Sequence, residues 1–250
     1  MISDSRFIEA LDDYLNIADI EDDTINGVQI DAHMPIEKLA FSVDPSRDII
    51  ERAVEENCDL LLTHHGLIWG GIKSVTGANY DILSSFLKND MGLYACHLPL
   101  DVHPEIGNNV LLAELIGAEP VDTFMEYNGT EVSLIAEFDE PKRVEEVAEI
   151  MSSRLNNEPF VLKPEREVEK VAIMTGKGGM ALSEAYERGA DLFISGEKQY
   201  MYFLESMNMD FPVIYGGHYA TETLGIKKLM EKVEEEHDYE CVWLERHVTI

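Results

Sequence analysis

Three short blocks of this chain carry residues that can do metal chemistry. LLLTHHG (Leu60–Gly66) is an apolar run of strand type that ends in two adjacent histidines, His64 and His65. YACHLPLD (Tyr94–Asp101) and YGGHYATE (Tyr215–Glu222) each hold a histidine with a carboxylate four residues later, His97 with Asp101 and His218 with Glu222. Neighbouring side chains at a strand end point to opposite sides. His64 and His65 can therefore face two different ions, or one ion and one hydrogen-bonding partner of a ligand. His218 and Glu222 at a helix start share one face, within about 5–6 Å. Three or four histidines with two carboxylates suit a borderline divalent transition metal, or a pair of them. A carboxylate can bridge two ions about 3.5–4 Å apart, and Glu222 is the natural bridge. Plainer roles exist for each residue: core histidines at 64 and 65, loop hydrogen bonding at 97 and 101, a helix-dipole acid at 222. A dinuclear site accounts for all of them at once, and His/carboxylate donors leave the metal open among Zn, Fe, Mn, Co and Ni.

These groups need strand ends to hold them, and the hydrophobic pattern supplies strands alternating with helices. Helices are expected over Ser3–Asn16 (capped by Ser3 or Asp4), Ser46–Asn57, Asn79–Lys88, Asn109–Ile116, Lys142–Leu155, Met180–Arg188, Gln199–Ser206 and Thr221–Val233. Strands are expected over Lys38–Asp44, Asp59–Thr63, Met91–Cys96, Glu131–Phe138, Lys170–Thr175, Asp191–Ser195, Phe211–Tyr215 and Glu240–Leu244. This alternation predicts an α/β fold with mainly parallel sheets. A weak internal repeat sharpens it: NCDLLLTHHG (Asn57–Gly66) and GADLFISGEK (Gly189–Lys198) both read helix end, Asp-Leu, apolar strand, polar elbow. The next strand in each half leads into the His-x-x-x-carboxylate block. Two related α/β lobes follow, residues 1–120 with 240–250 returning, and residues 121–239. The metal site is expected between them, at the carboxyl ends of the strands, where open α/β sheets bind ligands.

The charge balance narrows the partners. Forty-nine acidic residues against 19 basic ones give a net charge of −30. Such a surface repels nucleic acid and anionic membranes. The acids are dispersed, which reads as a solvated surface adapted to a salt-rich cytoplasm. No apolar run approaches the ~18 residues of a membrane span, and the N-terminus lacks the pattern of a signal peptide. The three cysteines (Cys58, Cys96 and Cys241) are scattered and odd in number, which fits a reducing cytoplasm and not a disulfide framework.

Other features carry weaker signals. Gly176-Lys177-Gly178-Gly179 follows a strand and precedes a helix; a tight turn explains it better than a phosphate cradle. Trp69 is either a stacking platform at a site mouth or a loop anchor. His33, His237 and His247 sit in polar surroundings and are expected to be exposed, and His103 is a candidate supporting group in its loop. Cys96 points away from its neighbour's side by strand alternation.

INGVQ (Ile25–Gln29), THHGLIWGG (Thr63–Gly71), YACHLPLD, ISGE and GGHYATE, in this order over nearly the whole chain, resemble the NGG-interacting-factor-three-like family. Its members are also labelled GTP cyclohydrolase 1 type 2 homologs. The resemblance implies two divalent metal ions per chain, held by His64, His65, Asp101, His218 and Glu222. Glu222 would bridge, His64 and Asp101 would complete one ion, and His65 and His218 the other, with His97 as an accessory group. It also implies a toroidal homohexamer, a trimer of dimers. The chain departs from the pattern in SGEKQYMYF, where Tyr200 and Tyr202 stand in a region that holds a histidine in many relatives, and it lacks room for the large domain some bacterial relatives insert. Two metals acidify a bound water and polarise a phosphoryl or ring C=N group. The expected activity is thus a metal-dependent hydrolase acting on a nucleotide or related phosphate or purine compound, with Lys73, Lys177 or Lys198 available to neutralise phosphate. The alternative is a non-catalytic metal store, insertase or regulatory partner.

Overall fold

The computed structural model describes residues 5–72 and 74–246. Ser3, Asp4, Lys73 and His247, named above as candidate caps, phosphate partner and exposed histidine, lie outside the described residues. The described residues divide into two compact units, one of residues 5–100 with 226–246, the other Asp101–Gly225.

The first unit is built on a five-stranded sheet. Its strands are β1 (Gly27–Ile30), β2 (Lys38–Ser42), β3 (Leu60–Thr63), β4 (Gly92–Ala95) and, from the far end of the chain, β11 (Glu240–Trp243). The order is β1-β4-β3-β2-β11, parallel except for the edge pairing of β1 with β4. All four residues of β3 are buried, as the interior strand of a sheet covered on both faces requires. On one face Ala40, Leu61 and Leu93 pack with Ile49, Ile50 and Ala53 of helix α2 (Arg47–Glu55) and Phe86 of helix α3 (Ala78–Asn89). Helix α1 (Ser5–Tyr14) buries Phe7 and Leu11. His237, expected to be exposed, is half-buried with its ring edge-on to Phe7 at 5.1 Å. His33 is exposed, as expected, and pairs with Asp90 at 3.2 Å.

The second unit holds a six-stranded sheet of β5 (Glu119–Tyr127), β6 (Thr130–Arg143), β7 (Phe160–Leu162), β8 (Glu167–Met174), β9 (Leu192–Ser195) and β10 (Val213–Tyr215), in the order β5-β6-β8-β9-β10-β7. Only β8-β9-β10 is parallel; a long hairpin, β5–β6, and the edge strand β7 join antiparallel. Strand alternation divides its core cleanly. Val171, Ile173, Leu192 and Ile194 face helices α5 (Asn108–Ile116) and α6 (Val144–Leu155). Ala172, Phe193 and Val213 face the other way, with Leu182 and Ala185 of helix α7 (Leu182–Glu187). Because α5 packs through Leu112, Ala113 and Ile116 on this sheet, residues 101–120 go with the second unit and not with the first lobe drawn from the sequence.

The internal repeat has a structural basis. Asp59 Oδ2 accepts the backbone N–H of Glu37 and Lys38, both at 2.9 Å, and Asp191 Oδ2 accepts those of Glu169 and Lys170 at 3.1 and 3.0 Å. In each unit the Asp of Asp-Leu therefore ties the start of the central strand to its parallel neighbour. At the other end, Cys96 N donates to Thr63 O at 2.9 Å, and Gly216 N donates to Ser195 O at 2.8 Å. The ladder registers match Ala95 with Thr63 and Tyr215 with Ser195. This sets His65 and Glu197 at equivalent elbow positions, and offsets the two His-x-x-x-carboxylate blocks by one residue.

Candidate metal centre

In the first unit the strand ends carry the histidines. Asp44 follows β2, His64 and His65 follow β3, and Cys96 and His97 follow β4. His64, His65 and His97 each bring a ring nitrogen within 4.8 Å of the others'. His64 is fully buried, and the other two are partly buried.

What orients these rings is a set of acceptors at Nδ1. His64 Nδ1 donates to the Cys96 carbonyl at 3.0 Å. His65 Nδ1 donates to Asp44 Oδ1 at 2.7 Å, and His97 Nδ1 to Asp22 Oδ2 at 3.0 Å. A carbonyl or carboxylate accepts only, so each contact puts a proton on Nδ1, and in the neutral ring the lone pair is then on Nε2. The Asp22 side chain is 2% exposed. Burial pushes its carboxyl up, but hydrogen bonds from His97, Asn26 and the Leu98 N–H outweigh this and hold it at about 2. Asn26 also accepts the His97 backbone N–H at 2.7 Å.

The second unit repeats the arrangement at its own strand ends: Gly176 after β8, Glu197 after β9, and His218 opening helix α9 (His218–Glu236) after β10. The helix begins three residues before the expected start, so His218 lies in its first turn. His218 Nδ1 donates to Glu197 Oε1 at 2.7 Å, and its Nε2 lies 3.0 Å from Glu222 Oε2. Burial raises the Glu197 carboxyl, but its bonds from Gln199 and His218 bring it below the usual range. A carboxylate oxygen of Asp101 lies within 4.8 Å of one from Glu222. Asp101 sits at the end of a short helix, α4 (Leu98–Asp101), where a loop was expected. Its Oδ1 accepts Asn108 Nδ2 at 2.7 Å, and Asn108 Oδ1 accepts the Gly225 N–H of α9 at 2.8 Å.

The GKGG run forms a tight turn, with a 3-10 segment at Gly178–Ala181, and it serves the site by leaving space. Gly176 has φ +58, and a Cβ there would overlap Glu222 Oε1 and lie 2.9 Å from Cδ. A side chain at Gly179 would likewise run into the ring of Tyr202, one of the two tyrosines where the chain departs from the family pattern.

Whether this donor set suits a metal turns on the lone pairs. Nε2 of His218 and a carboxylate oxygen of Glu222 are held 3.0 Å apart. That is the spacing of adjacent ligands on one ion with bonds of about 2.0–2.2 Å. Four imidazoles each anchored through Nδ1 is the arrangement that supporting carboxylates and carbonyls impose on metal-binding histidines. The donors fit a divalent transition ion. His103, by contrast, accepts the N–H groups of Glu105 and Ile106 at Nδ1, at 3.1 and 3.2 Å, and organises its own loop.

Sequence reasoning missed Asp22, Asp44 and Glu197, the carboxylates behind His97, His65 and His218. One signal was available: the repeat aligns Glu197 with His65.

Comparison with known proteins gives a consistent result. A family model described as Duf34/NIF3 (NGG1p interacting factor 3) matches residues 3–248. A Pyrococcus abyssi protein named GTP cyclohydrolase 1 type 2 homolog is 40% identical over 243 residues, covering 96% of each chain. Among solved structures, the protein ybgI, described as of unknown function, superposes with a TM-score of 0.92 at 29% identity, over 99% of both chains. A protein from Thermus thermophilus gives a TM-score of 0.86 at 32% identity, over the full length of both chains. No helix among the described residues is long and apolar enough to cross a membrane. On its motifs, its fold and a match that runs nearly end to end, the chain belongs to the Duf34/NIF3 (NGG1p interacting factor 3) family.

Proposed function

We propose that the protein is a two-metal hydrolase acting on a nucleotide or a related phosphate or purine compound. His64, His65, Asp101, His218 and Glu222 would hold the ions, with Glu222 bridging and His97 beside them. The observation that carries the reading is the Nδ1 anchoring of all four histidines, which in the neutral rings leaves each Nε2 as the acceptor. The first unit supplies imidazoles and the second two carboxylates and an imidazole, and the reading assigns both sets to one pair of ions. Two such ions would supply Lewis-acid polarisation and an acidified water. The residues of the chain supply orientation: Asp44, Glu197 and the Cys96 carbonyl hold the ligand rings, and Asn108 holds the Asp101 carboxylate. Support for the substrate class comes from the relatives named GTP cyclohydrolase 1 type 2 homolog. Assembly into a homohexamer of cytoplasmic chains, with no nucleic-acid or membrane partner, belongs to the same proposal.

One observation favours the alternative, a metal-holding protein without turnover. Lys198, a candidate phosphate partner, has its ammonium 3.4 Å from the Phe160 ring centroid and 4.3 Å from that of Phe203. It is already engaged, and Lys177 is left as the described lysine for that role. A hydrolysis panel of purine and pyrimidine nucleotides, run on wild type and Glu222→Ala, separates the two readings. Turnover that disappears in Glu222→Ala supports the hydrolase; metal exchange without turnover of any nucleotide supports the holder.

A further inference from the structure

Trp69 takes no part in the metal reading, yet its loop is built together with the segment before β1. The indole Nε1–H donates to Gly66 O at 2.7 Å, fixing the ring against its own loop. The loop is pinned from outside as well. Gly70 N donates to Asp23 O at 2.9 Å, Thr24 pairs with Trp69 in an antiparallel bridge, and Thr24 Oγ1 donates to Ile68 O at 2.9 Å. Gln29 Oε1 accepts the N–H groups of Leu67 and Ile68 at 2.8 and 3.0 Å. Gly66 makes this approach possible, because a Cβ there would overlap Thr24 Oγ1 and Gln29 Nε2. The same segment holds His97 through Asp22 and Asn26. Asn26 and Gln29 of the INGVQ motif thus clamp two loops, the one bearing Trp69 and the one bearing His97.

The clamped indole remains 37% exposed. Its ring meets that of His97 edge-on at 5.0 Å and lies 6.4 Å from that of His65. A loop anchor gains its stability by burying its ring. Here the ring is immobilised and yet left open beside the histidines. An indole face takes either a planar π system or a cation. Beside histidines that hold divalent ions a second cation is repelled, which leaves the planar ring.

We propose that Trp69 is one wall of a subsite for a planar heteroaromatic ring, placed so that the ligand's polar substituents reach the histidine cluster. The preference for a neutral ring over a cation rests on the metal reading above; the exposed, clamped indole does not.

The test uses the chain's own fluorescence. Trp69 and Trp243 are its two tryptophans, so Trp243→Phe leaves Trp69 as sole reporter. In that background, GMP and UMP are titrated against ribose 5-phosphate, which has no ring system to stack, and affinities are repeated by calorimetry in Trp69→Ala and Trp69→Phe. Saturable quenching by a nucleotide and none by ribose 5-phosphate is expected. Trp69→Ala should bind the nucleotide about 5- to 150-fold more weakly, the range for losing one base–aromatic stack, and Trp69→Phe should recover most of the loss. Nucleotide affinity unchanged in Trp69→Ala, equal affinity for ribose 5-phosphate, or no quenching by either nucleotide at millimolar concentration overturns the proposal. Bound metal is measured in every variant. Quenching in protein that binds no added metal keeps the subsite while removing the metal reading; full metal content with no quenching does the reverse.

Discussion

Replacing Gly176 by alanine should disturb the Glu222 carboxylate before it disturbs the fold. Gly176 has φ +58, a conformation that costs an L-residue about 1–2 kcal/mol. The added Cβ would overlap Glu222 Oε1 and lie 2.9 Å from its Cδ and 3.3 Å from His218 Nε2. Overpacking of this kind costs about 1–3 kcal/mol where nothing yields. The Glu222 carboxylate is the end of a side chain, so it yields, and this second cost appears as lost metal affinity instead of lost stability. Gly129 provides the control: it has φ +82 in the β5–β6 hairpin turn, and a Cβ there meets nothing within 4 Å. Gly129→Ala therefore pays the backbone cost alone. Urea unfolding of the metal-free proteins should show both variants destabilised by about 1–2 kcal/mol. Zinc calorimetry should show binding weakened about 5- to 150-fold in Gly176→Ala and unchanged in Gly129→Ala. Wild-type zinc affinity in Gly176→Ala, at the stability of the control, would refute the placement of Glu222 in the ligand set.

Other outcomes follow from the same structure. Asp44→Ala and Glu197→Ala, which remove the anchors of His65 and His218, should each weaken metal binding about 10- to 100-fold by calorimetry with far-UV dichroism unchanged; equal affinity would make these bonds incidental. Burial pushes the Cys58 thiol up to about 11, so alkylation at neutral pH should be slow in the native protein and fast in urea. Because this pKa is raised on folding, the associated stability is complete below about pH 9 and is lost as pH climbs toward 11; stability rising over that window would contradict the assignment. With a net charge of −30, added KCl should raise the melting temperature by screening self-repulsion, and a flat or falling salt dependence would dispose of the salt-adaptation reading.

The ligand candidates were legible because each sits at a break in pattern: an apolar strand cut off by two histidines, or a histidine with a carboxylate one helical turn on. The groups that orient them were not. Asp22, Asp44 and Glu197 are three among 49 acidic residues, and in so acidic a chain a carboxylate draws no notice. Only the fold shows which ones face an imidazole. Strands β3, β4, β8 and β9 were read nearly in place because buried parallel strands are continuously apolar. Strand β5 was missed, although Asn128-Gly129 before the run at Glu131 is a hairpin signal. The helix expected from Lys142 starts at Val144, because β6 continues through Pro141 to Arg143. The pairing with β8 lapses between Glu137 and Lys142, so the proline sits where no ladder bond is needed. Strands β1 and β7 escaped because they are edge strands of four and three residues with no clear alternation. The GKGG turn was read as a turn; its part in admitting Glu222 depends on a residue 46 positions away.

Whether His64, His65, Asp101, His218 and Glu222 hold a pair of divalent ions is read from elemental analysis of the anoxically purified chain. About two divalent transition-metal ions per chain are expected, falling sharply in Glu222→Ala. Fewer than one ion per chain in the wild type would contradict a two-ion site.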